Sequence, residues 1–182
     1  MVNISEYLEE KINEQETIIN ERYVNLTSKE QMRENIDVIW DILQRTYAPI
    51  GGFLTAKTKE DLINKTDFIK MVRREGRIVA VALYKDKKGR KAIAKGSDGT
   101  DLGKKGVKDI YMEDIKLGRA WGEFSGASAG YQIKKGAVPI PSKYAKDILG
   151  KEILSYNDDG FHYTREIGGE PHEKIILGNP KK

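Results

Sequence analysis

Ile78 to Tyr84 is an unbroken run of apolar residues. A strand with one wet face alternates polar and apolar side chains. A run with no polar side suits a strand covered on both faces. That run calls for a sheet with other elements packed against it, and the flanking sequence supplies them. Phe68 to Arg73 and Lys91 to Lys95 read as neighbouring strands, and Asp86 to Gly89 is a hairpin turn with Gly placed for positive φ. Tyr23 to Thr27 reads as a first strand, followed by a helix capped by Thr27 or Ser28. Ile36, Ile39, Trp40, Leu43 and Tyr47 give that helix its apolar stripe, and Pro49 with Gly51-Gly52 stops it. Thr58 to Asp61 is a capping pattern for a short helix ending near Asn64.

Downstream, the spacing predicts a helix from Asp101 to Leu117 that buries Val107, Ile110, Tyr111 and Ile115, with Gly118 as its cap. A strand over Arg119 to Ser125, a helix over Ala127 to Lys135 and a short helix from Ser142 to Gly150 follow. A final hairpin pairs Phe161 to Ile167 with Lys174 to Leu177. The strand–helix–strand unit from Lys91 to Ser125 predicts one parallel pair with a right-handed crossover. The fold class is therefore α/β (α+β): a mixed, mostly antiparallel central sheet with one parallel strand pair and helices on both faces.

Composition narrows the function. The 182 residues hold no cysteine, so neither a disulfide framework nor thiolate chemistry is expected, and a reducing, cytoplasmic setting is the natural reading. No apolar run is long enough for a membrane span. Net charge is +4, which allows an anionic ligand without demanding nucleic acid. Residues 1–20 read as an N-terminal helical extension on a domain over 21–182. The oligomeric state is open; a dimer is compatible with the chain.

The stretch from Gly96 to Gly106 runs from a strand into a helix and is built to bind an anion. Gly96, Gly99, Gly103 and Gly106 let backbone N–H groups converge, the helix N-terminus adds its dipole, and Lys104 and Lys105 add charge. The competing reading is a Gly-rich connection with two solvated lysines. Neither the P-loop pattern nor G-x-G-x-x-G is present. His162 and His172 flank the last turn and could face each other. Without cysteine or a H-x-x-x-H spacing, no metal site is expected. Lys85, Lys87, Lys88, Arg90 and Lys91 read as a solvated hairpin tip, with phosphate contact as the alternative.

Element order and loop together resemble the GNAT superfamily of N-acyltransferases. In that family the fourth strand leads into R/Q-x-x-G-x-G/A, which cradles the pyrophosphate of coenzyme A. The corresponding stretch is Thr100 to Gly106: Gly103 fits the first glycine, Thr100 stands for Arg/Gln and Lys105 for the second Gly/Ala. A second family pattern places an alanine four residues before a tyrosine, as Ala127 and Tyr131 do; Phe124 replaces its Asn and Ala137 its Phe.

The resemblance implies acetyl-CoA as cosubstrate, held by Ala94, Lys95, Gly96, Gly99, Thr100, Gly103, Lys104, Lys105 and Gly106. N–H groups around Ala94 to Gly96 would polarise the thioester carbonyl. Tyr131 would act as the acid toward the leaving thiolate, and Glu123, on the predicted fifth strand, is the candidate base. The implied activity is acetyl transfer to an amine acceptor of unknown class. The alternative is a catalytically inactive GNAT-like domain that binds a protein or nucleic acid.

Overall fold

The computed structural model describes residues 3–6, 8, 23–50 and 56–181. The expected N-terminal extension lies almost wholly outside them, as does the Gly51-Gly52 stop. The chain falls into two compact units: Met1–Ala82 with Lys95–Val107, and Leu83–Ala94 with Lys108–Lys182. Strands β3 (Arg77–Asp86) and β4 (Arg90–Ser97) contribute residues to both.

In the first unit the strand order is β1 (Tyr23–Leu26), β2 (Phe68–Arg74), β3, β4. β1 and β2 are antiparallel, with Tyr23 opposite Val72 and Leu26 opposite Ile69. Helix α1 (Lys29–Tyr47) begins at a reciprocal capping box in which Ser28 accepts from the Gln31 N–H and Gln31 accepts from the Ser28 N–H. It buries Ile39 and Leu43 as expected, together with Met32 and Ile42, while Ile36, Trp40 and Tyr47 are only partly covered. Helix α2 (Lys59–Lys65) starts where expected: Thr58 Oγ1 accepts from the Asp61 N–H at 3.0 Å. Helix α3 (Asp101–Val107) lies tight on the sheet. A Cβ at Gly106 would come within 3.1 Å of Ala80 and 3.3 Å of Val72, so the close approach depends on glycine there.

The second unit carries the order β3, β4, β5 (Trp121–Phe124), β8 (Glu170–Gly178), β7 (Tyr163–Ile167), β6 (Ser155–Tyr156). β4 and β5 are the parallel pair, in register at Lys91 and Trp121. The β5–β8, β7–β8 and β6–β7 pairs are antiparallel. The mixed sheet with one parallel pair is the architecture expected; β6 was not foreseen. The single helix expected over 101–117 is instead α3, a π turn (Lys108–Met112) and α4 (Glu113–Lys116). Such one-turn widenings follow from tertiary fit and carry no local signature.

Helix α5 (Gly126–Lys134) follows β5, and a 3-10 turn (Ser142–Tyr144) leads into α6 (Ala145–Leu149). Trp121, Ala145, Leu149, Tyr163 and Ile176 form a core cluster on this unit. Trp121 donates its indole N–H to the Lys87 carbonyl at 2.8 Å, so its buried polar atom is satisfied.

Candidate functional site

The loop between β4 and α3 turns on Gly99, whose φ of +86° favours glycine. Thr100 is the N-cap of α3. Its Oγ1 accepts from the Gly103 N–H at 3.1 Å, and its carbonyl accepts from the Lys104 N–H at 2.9 Å. Asp98 folds back over the same turn. Its Oδ1 accepts from the Thr100 N–H at 3.0 Å and from the Thr100 hydroxyl, while Arg77 lies 3.4 Å from Oδ2. The Asp98 side chain is 13% exposed. Burial works against its charge, but the hydrogen bonds from Thr100 and Arg77 outweigh burial and hold the carboxyl below the usual carboxylate range.

Gly103 gains its meaning from this arrangement. A Cβ there would run into Asp98 Oδ1 and would sit 2.7 Å from the Val79 carbonyl oxygen. The missing side chain makes room for the chain's own carboxylate against the first turn of α3. Lys104 and Lys105 are exposed on the same turn, and Gly106 packs on the sheet.

The edge of β4 away from β3 is also engaged. Asp98 donates its N–H to Val79 on β3, whereas the Lys95 N–H goes to Tyr47 Oη and the Ser97 N–H to Thr46 Oγ1, each at 3.2 Å. Both acceptors come from the last turn of α1. Gly96 faces the same helix: a Cβ would lie 2.7 Å from Thr46 Oγ1 and 3.1 Å from Ile42. Ala94 is buried. Burial pulls the Lys95 ammonium down to about 8.

In the second unit, Glu123 lies at the centre of a network. Arg165 grips its carboxylate from Nε at 2.6 Å and Nη2 at 2.8 Å, the Tyr163 hydroxyl donates at 2.9 Å, and Lys91 Nζ approaches to 3.4 Å. Burial opposes its charge, yet Arg165 and Lys91 overcome burial and hold the carboxyl at about 2. A carboxylate so held has almost no affinity for a proton near neutrality. The sequence read Glu123 as a candidate base, with a solvated strand residue or an ion-pair partner as the alternative; it is an ion-pair partner, and its Arg165 and Tyr163 partners, 42 and 40 residues away, left no local signal of their identity.

Tyr131 stands on α5 with 38% of its surface exposed, and the ammonium groups of Lys108 and Lys135 lie 5.6 and 5.7 Å from its ring centroid. The two histidines do not face each other. His162 is bonded to Asp159, and His172 stands opposite Arg165 on the β7–β8 pair. The basic hairpin is less solvated than expected. Lys87 donates to the Leu149 carbonyl at 2.6 Å, Lys91 reaches Glu123, and the Arg90 guanidinium lies over the Tyr84 ring.

A pyrophosphate at the first turn of α3 would meet the Thr100, Gly103 and Lys104 N–H groups already bonded and the Asp98 carboxylate already in place. Two unit charges 4 Å apart repel by about 4 kcal/mol at an effective dielectric constant near 20. The residues at the loop do not fit the pyrophosphate of coenzyme A.

No protein-family profile matches the chain, and no curated protein does. Among solved structures the chain is similar to the ribosomal-protein-S18-alanine N-acetyltransferase from Escherichia coli, with 16% identity over 87% of this chain and 93% of that one and a TM-score of 0.49. It is also similar to an agmatine N-acetyltransferase mutant (14% identity, 86% and 99% covered, TM-score 0.45). A Bacillus subtilis acetyltransferase solved in complex with CoA is a third (11% identity, 88% and 99% covered, TM-score 0.45). All three identities are below 25% and all three TM-scores below 0.5.

Proposed function

We propose that this chain is a GNAT-like domain that works by binding a partner, with the acyl-CoA cradle closed from within. The observation that supports the reading is the Asp98 carboxylate lying against Gly103 on the N-terminal turn of α3, with Thr100 as its donor and as the helix cap. The Tyr47 and Thr46 hydroxyls of α1, which accept from the Lys95 and Ser97 N–H groups of β4, extend the closure along the strand. Under this reading Glu123 is a structural carboxylate, and Lys104 and Lys105 are solvated.

Calorimetry with CoA and acetyl-CoA tests it. The expected outcome is no saturable heat at millimolar ligand. Saturable binding by the unaltered protein, lost in Gly103→Trp, would overturn the closed cradle. Asp98→Asn removes the carboxylate charge, and a gain of pyrophosphate affinity in that variant identifies Asp98 as the closing group.

A second reading is the N-acyltransferase, acetyl-CoA to an amine acceptor. The exposed Tyr131 on α5, at the position the resemblance gives the acid, favours it. In that reading Tyr131 is the acid, and Tyr131→Phe abolishes turnover.

A further inference from the structure

The helical stretch Lys108–Lys116 and α5 enclose a groove of about 180 Å³ within one unit. Lys108, Met112 and Lys116 line one side, and Tyr131, Gln132 and Lys135 the other. Binding sites for drug-sized ligands run to roughly 300–1,000 Å³. This groove takes one compact group rather than a whole cofactor.

Gln132 is 2% exposed, and its side-chain oxygen has no hydrogen-bond partner among the described residues. The other end of the amide reaches Ser128 Oγ at 3.4 Å, at the long limit for a hydrogen bond. A buried amide end left unpaired is costly, and a ligand with a hydrogen-bonding edge relieves it. Beside it stands the half-exposed Tyr131 ring with an ammonium group on either neighbour, Lys108 and Lys135. A planar face, a hydrogen-bonding amide and surrounding cations together match one ligand unit: a planar polar ring carrying a phosphate.

We infer that this groove binds a nucleotide unit of single-stranded nucleic acid. The base stacks on Tyr131 and pairs its edge with the Gln132 amide, which offers an acceptor at one end and donors at the other. Phosphates meet Lys108, Lys116 and Lys135, and a lysine displaced from the ring by the base moves toward them. Single-strand binders combine aromatic platforms with cationic grooves in this way. A double helix offers no free base face to the ring. Asp109 and Glu113 also line the groove, so the lysines outnumber the carboxylates by one and the affinity stays modest and salt-sensitive. The inference names the ligand of the binding-domain reading. Failure of nucleic-acid binding leaves the calorimetric result on CoA untouched.

Fluorescence anisotropy with labelled oligothymidylate and oligouridylate is the test. The expected result is saturable binding whose log–log salt slope is about −1.4, as the two phosphates flanking one nucleotide of a single strand predict. Tyr131→Ala weakens it about tenfold, whereas Tyr131→Phe, which keeps the ring, does not. Paired Lys108→Glu and Lys135→Glu substitutions abolish it. Gln132→Leu lowers affinity while the unfolding midpoint holds or rises, which separates a ligand contact from a structural one. No binding by the unaltered protein at low salt overturns the inference. So does tighter binding of duplex than of single strand, or binding indifferent to both Tyr131→Ala and Gln132→Leu.

Discussion

Glu123 shows how far a residue's role depends on partners remote in sequence. Its side chain is 7% exposed and that of Arg165 10%, and the guanidinium engages it through two nitrogens. Removing one member of such a pair leaves the other charge buried, at a cost of about 3–5 kcal/mol. Glu123→Ala is expected to lower unfolding free energy by about that amount in urea titration. The carboxyl sits at about 2 in the folded protein and near 4.5 when free. The folded state therefore holds its charge where the unfolded state takes up a proton. This contribution is complete above pH 4.5 and is lost as pH falls from there toward 2. A Glu123→Gln variant should show a flatter acid limb in the same pH series.

Lys95 behaves in the opposite range. Its ammonium is depressed from 10.5 to about 8 by burial, so the folded protein binds fewer protons than the unfolded chain between those values. Stability should rise by up to about 3 kcal/mol as pH climbs from 8 through 10.5. Lys95→Met should remove that rise, and chemical denaturation across the alkaline range would detect it.

At the level of elements, α3 and its loop illustrate both what the chain discloses and what it conceals. The glycines, the strand before them and the helix after them were legible, because turn chemistry and helix periodicity are local. That Thr100 caps the helix was also within reach, since threonine three residues ahead of an N–H is a familiar cap. The position of Asp98 was not, because it depends on how the loop folds back against Val79 and Arg77. Gly103→Ala brings a Cβ onto the Val79 carbonyl and Asp98. It is expected to cost about 1–3 kcal/mol despite alanine's better helix propensity, as measured by the thermal midpoint. Ser28→Ala at the start of α1 removes a hydroxyl that caps Gln31 and should cost about 1 kcal/mol in the same assay.

At the scale of the molecule, the element order and the single parallel pair were readable from the sequence, and the ladder positions were not. Gly178 marks one such position. Its φ is +101°, and a Cβ would strike the Ala120 carbonyl and lie 2.8 Å from the Trp121 Cα, where β8 runs beside β5. Gly178→Ala is expected to give protein that loses its cooperative thermal transition.

The sequence by itself determined most of the strands and helices and their order, because hydrophobic period, caps and turn residues act within a few positions; β6 and the π turn inside 101–117 came only with the structure. It also marked Gly96 to Gly106 as a loop shaped for an anion. Only the tertiary structure decided which anion sits there. The carboxylate of Asp98, two residues past Gly96, reaches the helix turn first and is held by donors that meet only once the chain has folded.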